Sequence, residues 1–303
     1  MHIKRYFKQF LKRFVKLLWS LIIMGLTAIV SVGVFVYLFQ EKFIYVPDRG
    51  LTDNPGSAGL KYEDVELTTE DGTLLHAWFV PAENPKGVIL FCHGNAGNLS
   101  DRIATIKVFY ELEMDVMIFD YRGYGKSEGS PSEKGTYQDA RAAWNYLVRK
   151  REIPPDKIII VGRSMGGAIA AELAAEKAPA GVIIESAFIS IPEIAKDLYP
   201  FIPLIRPFSK IKYDTAEYMK KINSPVMVIQ SIDDEIINFR HGEQVFKSAN
   251  SPKKFVKLSG SHNECYFTCE SIYKKELKYF IRDCIKETPV PQQKAPATTS
   301  AKQ

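Results

Sequence analysis

The chain has 303 residues, 46% of them hydrophobic and 25% charged, which speaks against wholesale disorder, a collagen-like fibre and a polytopic membrane protein. Its formal net charge of +5 is local: six of the 40 Lys/Arg residues fall in residues 1–16, which hold no acid, leaving 34 basic against 35 acidic residues elsewhere. Nothing therefore recommends nucleic acid as a partner, and four cysteines are too few for a disulfide-built scaffold.

Residues 1–16 form a basic tip (Lys4, Arg5, Lys8, Lys12, Arg13, Lys16), and residues 17–40 carry no charged side chain. At 1.5 Å per residue, about 20 apolar residues cross a hydrocarbon core of about 30 Å. The run is long for a buried core helix and apolar on every face, unlike a helix lying on a membrane surface. It leads into Tyr37-Leu38-Phe39-Gln40-Glu41-Lys42 rather than a small-residue cleavage site, so an uncleaved anchor is expected, not a signal peptide. The cations ahead of it predict a cytoplasmic N-terminus, with the rest of the chain on the non-cytoplasmic side, the periplasmic face in a bacterium.

Residues 41–60, with Pro47, Gly50, Pro55 and Gly56, read as a connector, and 288–303, rich in Pro, Ala, Thr and Gln, as a disordered tail. Between them, residues 61–287 alternate β and helical patterns. Lys61–Thr68 and Leu74–Pro81 flank Asp71-Gly72, a hairpin signal. Further strands are expected at Gly87–Cys92, Val116–Asp120, Lys157–Gly162, Val182–Glu185, Val226–Ser231 and Phe255–Leu258. Helices are expected at Asp101–Leu112, Tyr137–Lys150, Met165–Glu176, Gly242–Ala249 and Glu270–Lys286. This alternation predicts an α/β domain with a mostly parallel sheet covered by helices on both faces, its chemistry at the carboxyl ends of the strands.

One strand end reads Gly162-Arg163-Ser164-Met165-Gly166, a G-x-S-x-G between an apolar strand and an Ala-rich helix. That context suits a nucleophile elbow, in which small residues permit a sharp turn and the serine hydroxyl stands at a helix N-terminus. A serine needs a base and the base an orienting acid, in the chain order Ser, acid, His. Of five histidines, His262 lies in the loop after the last strand, where a base can reach Ser164; His241 opens a helix one element early and reads as a surface residue. For the acid, Asp234 has the better register in Ile232-Asp233-Asp234-Glu235, with Asp233 as the alternative and Glu235 as a solvated loop residue. Two backbone N–H donors would complete the set, from Met165 and from Asn95 in His93-Gly94-Asn95-Ala96-Gly97-Asn98, a loop that His93 would brace.

These stretches, together with Phe119-Asp120-Tyr121-Arg122-Gly123-Tyr124-Gly125-Lys126-Ser127, resemble serine α/β-hydrolases over roughly residues 42–285. They look most like the membrane-anchored branch of alpha/beta-hydrolase-domain proteins, bud-emergence homologues and serine-aminopeptidase-like relatives. The resemblance implies an α/β-hydrolase fold with a small cap at about 187–222, a triad of Ser164, Asp234 and His262, and an acyl ester or thioester as substrate. One departure is Asn238, where the family usually has proline after the acid loop.

The apolar stretch Leu198–Phe208 within that cap would suit an acyl chain or membrane docking, or simply cover the core. Glu193, Asp197, Asp214 and Glu217 keep an aminopeptidase open, since such an enzyme needs carboxylates for the substrate amine. A silent membrane scaffold is the non-enzymatic alternative. Cys265 and Cys269 allow a strained disulfide, and Cys92 reads as a core residue. With His262 in the triad and no fourth ligand in view, neither a metal nor a cofactor is expected.

Overall fold

The computed structural model describes residues 2–198 and 209–285; the expected tail and the apolar cap stretch from 199 to 208 lie outside them. In chain order the elements are α1 (His2–Ile44), β1 (Glu63–Thr68), β2 (Leu74–Val80), β3 (Gly87–Cys92), α2 (Ile103–Glu111), β4 (Met114–Phe119) and α3 (Glu133–Asn145). There follow β5 (Ile158–Arg163), α4 (Met165–Glu176), β6 (Gly181–Glu185), α5 (Ile191–Leu198), α6 (Thr215–Met219), β7 (Val226–Ser231), α7 (Phe239–Ser248), β8 (Lys253–Leu258), α8 (Cys265–Thr268) and α9 (Glu270–Cys284).

The strands form one eight-stranded sheet in the order β1-β2-β4-β3-β5-β6-β7-β8. β1 and β2 pair antiparallel across a turn closed at Gly72, whose positive φ of 82° suits glycine. β2 runs antiparallel to β4, and the pairs from β4 through β3 to β8 are parallel. Every residue of β3, β6 and β7 is buried, as continuous apolar runs in a two-sided parallel sheet should be. Alternation divides each run between two cores: Leu90, Ile160 and Ile184 pack with α3 and α4, while Ile89, Phe91 and Ile183 pack with Phe109 of α2 and Leu277 of α9.

α1 is a single 43-residue helix, longer at both ends than the apolar run, and it is long and apolar enough over Arg5–Phe35 to cross a membrane. α3 starts four residues before the expected Tyr137 because Ser132 caps it, its hydroxyl accepting from the Gly135 N–H at 3.1 Å. The expected helix start at Asp101 is instead a 3₁₀ turn, Leu99–Arg102, closed by a reciprocal Asn98–Asp101 capping box.

Candidate active site

Ser164 stands at the turn from β5 into α4 with φ 55° and ψ −122°, a strained backbone for a residue with a side chain. Two glycines make the turn possible. A Cβ on Gly162 would lie 2.2 Å from the Gly166 carbonyl oxygen, and one on Gly166 would lie 2.1 Å from that of Cys92. The turn is bound into the sheet by the Ser164 N–H, which donates to the Glu185 carbonyl at 2.9 Å. Beside it, the Arg163 guanidinium donates to Glu185 at 2.9 Å and to Thr105 Oγ1 at 3.1 Å, over the Tyr266 ring. Burial works against the Arg163 charge, but the Glu185 carboxylate outweighs it and holds the group firmly protonated.

The loop after β3 passes directly alongside: a Cβ on Gly94 would lie 3.6 Å from Ser164 Cβ. His93 is buried beneath it, with Nδ1 at 2.7 Å from the Gly94 carbonyl and its own carbonyl accepting from the Tyr121 hydroxyl at 2.9 Å. Among the described residues the backbone N–H groups of Asn95 and Met165 meet no acceptor, so both remain available to an external one.

The Asp233-Asp234-Glu235 run meets the loop carrying His262. His262 Nδ1 and Asp234 Oδ2 are 2.8 Å apart, with both side chains buried. The remaining lone pairs of Asp234 are filled by Gln230 Nε2 at 3.0 Å and by the N–H groups of Ile236 and Ile237 at 3.0 and 2.7 Å. Asp233 accepts from the Gly260 N–H at 3.1 Å. Glu235, expected to be a solvated loop residue, accepts from the His262 N–H at 2.9 Å and so belongs to the same clasp. The structure thus joins Asp234 to His262, while the Ser164 hydroxyl makes no hydrogen bond among the described residues.

Several other expectations need correction or completion. His241 is fully buried, not on the surface: its Nδ1 accepts from the Ile189 N–H at 3.2 Å and its Nε2 lies 2.9 Å from Asp197. Cys265 and Cys269 are free thiols rather than a disulfide, and burial pushes the Cys265 thiol up to about 11. Asn238 keeps the acid loop in register by capping α7, accepting from the Arg240 N–H at 3.0 Å. Gln230 and the Arg163–Glu185 pair were not anticipated: Arg163 and Glu185 meet across neighbouring strands, and Gln230 donates to Asp234 and the Ile237 carbonyl in the loop after its own strand, where no motif marks it. Among the described residues no group of His, Cys, Asp and Glu could hold a metal ion.

Residues 87–198 match the α/β-hydrolase fold family model. The α/β-hydrolase domain-containing protein WAV2 of Arabidopsis thaliana is 31% identical over 289 residues, covering 86% of this chain and 94% of its own. A membrane protein of Saccharomyces cerevisiae, YNL320W, is 32% identical over 252 residues, covering 79% and 89%. Among solved structures, an esterase of Pyrococcus furiosus superposes with a TM-score of 0.68 at 20% identity, covering 80% of this chain and 98% of that one. With the sheet order, the elbow and these relatives in hand, the chain belongs to the α/β-hydrolase family.

Proposed function

We propose that this protein is a membrane-anchored serine hydrolase that cleaves acyl esters or thioesters through an acyl-enzyme on Ser164. The observation that carries the reading is the buried Asp234–His262 pair, flanked by Asp233 and Glu235, which also bind the His262 loop, at the same carboxyl end of the strands as the strained serine turn. In this mechanism His262 Nε2 takes the proton of the Ser164 hydroxyl as its oxygen attacks the substrate carbonyl. Asp234 accepts the Nδ1–H, which fixes the tautomer and stabilises the imidazolium that forms. The oxyanion accepts from the N–H groups of Asn95 and Met165, the latter at the N-terminus of α4, where the helix dipole favours negative charge. Collapse expels the alcohol or thiol, protonated by His262, and water then releases the acid by the same route in reverse.

Anchoring by α1 agrees with the name of the yeast relative, and the esterase likeness of the fold agrees with an acyl substrate. The exposed Leu198 and Ile236 line an open depression with Asp234, among the charged or polar Lys196, Asp197, Glu235, Asn238 and Arg240. Of the four carboxylates that keep the aminopeptidase alternative open, Asp197 is engaged by Arg240 and His241, and Glu217 pairs with Lys220 on the surface. A fluorophosphonate should label the intact chain at one site and fail on Ser164→Ala of unchanged thermal stability. Persistent labelling of that variant would remove the serine from the mechanism. A catalytically silent scaffold would leave even the intact chain unlabelled. Across acyl esters from acetyl to octanoyl, kcat/KM should rise, whereas a flat series with efficient cleavage of amino-acid amides would return the reading to a peptidase.

A further inference from the structure

The C-terminal end of α1 does not stop short of the domain. Gln40 Oε1 accepts from the N–H groups of Lys210 and Ile211 at 2.8 and 3.2 Å. The buried Tyr45 shares a 2.9 Å hydrogen bond with the Tyr213 hydroxyl. Past the helix, Gly97 and residues 46–48 form a short bridge: Gly97 N–H donates to the Val46 carbonyl at 3.3 Å, and Asp48 N–H to the Gly97 carbonyl at 3.2 Å. The loop that borders Ser164 is therefore laid down against the end of the helix.

Asn95 is the centre of that contact. Its Nδ2 donates to the Ile44 carbonyl at 2.5 Å, satisfying one of the carbonyls that a helix end leaves without an internal partner. Its Oδ1 accepts from the Val46 N–H at 3.2 Å and from the Tyr124 hydroxyl at 2.7 Å. A residue that only lent its backbone N–H to an oxyanion would need no side chain at all. Here three hydrogen bonds to three partners hold the carboxamide, and through one Cβ they hold the residue that follows Gly94, the glycine that borders Ser164.

We propose that the Asn95 side chain is a positioning residue that aims its own backbone N–H at the oxyanion by gripping the end of α1, so that the helix terminus is a working part of the site. The inference rests on the serine-hydrolase reading above. An oxyanion donor acts in the transition state, so misaiming it lowers kcat and leaves KM nearly constant. Losing a donor outright costs about 100- to 1000-fold, so losing its alignment should cost about 10- to 100-fold.

The test uses the full chain in detergent micelles, with the second-order rate constant of fluorophosphonate labelling and the kcat and KM for an aryl ester as readouts. Asn95→Asp keeps the acceptor for Val46 and Tyr124 but sets a carboxylate against the Ile44 carbonyl; Asn95→Ala removes all three bonds. Both should label about 10- to 100-fold more slowly, with full final stoichiometry and KM within about twofold of the parent. Tyr124→Phe, which removes one bond and leaves the asparagine, should fall between them and the parent, and it keeps the test readable should an Asn95 variant misfold. Parental labelling rates in all three, a loss confined to KM, or a loss fully matched by the unfolded fraction would each overturn the proposal. An intact chain that never labels at Ser164 sinks the hydrolase reading itself, a result distinct from unaffected variants of a labelling parent.

Discussion

Asp233, Asp234 and Glu235 are chemically near-equal neighbours, yet each faces a different donor of the His262 loop. Asp234→Asn should therefore lower kcat by about 1000- to 10,000-fold, because an amide in its place stabilises neither the right tautomer nor the imidazolium. Asp233→Asn keeps a carbonyl oxygen that can accept from the Gly260 N–H and gives up only the charge on that acceptor, so it should cost less than about tenfold. Kinetics of the two purified variants on one ester decide the matter, and the reverse order would move the acid to Asp233. A linear sequence places all three carboxylates after the same strand and narrows the acid only by register; the loop after β8, which tells them apart, arrives 28 residues later.

His241 shows the opposite case, a residue whose surroundings no local pattern reveals. Burial holds its pKa below the usual histidine value, and its Nδ1 is committed as an acceptor from Ile189, which requires the neutral ring. Asp197 and Arg240 pull in opposite directions and do not reverse that balance. The unfolded chain takes up a proton near pH 6.5 that the folded ring resists, so the stability tied to this group is present above that pH and lost below it. His241→Gln should show a shallower fall in Tm between about pH 6.5 and 5 than the parent, and equal slopes would remove the histidine from the acid response.

Among the elements, the strands were easiest to anticipate because burial on both faces writes them as apolar runs; β3 and β7 match their expected bounds. Helix starts were harder, since caps such as Ser132 act before any apolar periodicity begins. The β5–α4 turn was legible for a different reason, in that its glycines are required by contact. With a Cβ on Gly162 only 2.2 Å from the Gly166 carbonyl oxygen, Gly162→Ala must push α4 off the sheet. At the upper end of single-substitution effects, about 3 kcal/mol, Tm should fall by roughly 6–12 °C in calorimetry. An unchanged Tm would show that the helix has room to withdraw.

For the molecule as a whole, the long apolar helix was apparent from composition, but its union with the site was not, because residues 41–60 look like an ordinary connector. Tyr45 is buried in the main core, so a chain begun at residue 49 should melt roughly 10 °C below one begun at residue 37, given about 3–5 kcal/mol for removing a buried aromatic. Equal melting points would show that the segment is dispensable to the fold. Orientation is a separate expectation: with six cations ahead of the apolar run, a reporter fused after Gln303 should appear on the non-cytoplasmic side, and a cytoplasmic signal would reverse it.

The grip of Gln40, Ile44 and Val46 on the domain also turns α1 from a tether into a shaft. On a slack tether, one residue added to the apolar stretch changes only reach. On a shaft it turns everything beyond it by about 100° about the helix axis and advances it by about 1.5 Å. The azimuth of the cleft relative to anything that holds the helix from the side is thereby written in the number of residues between its two ends.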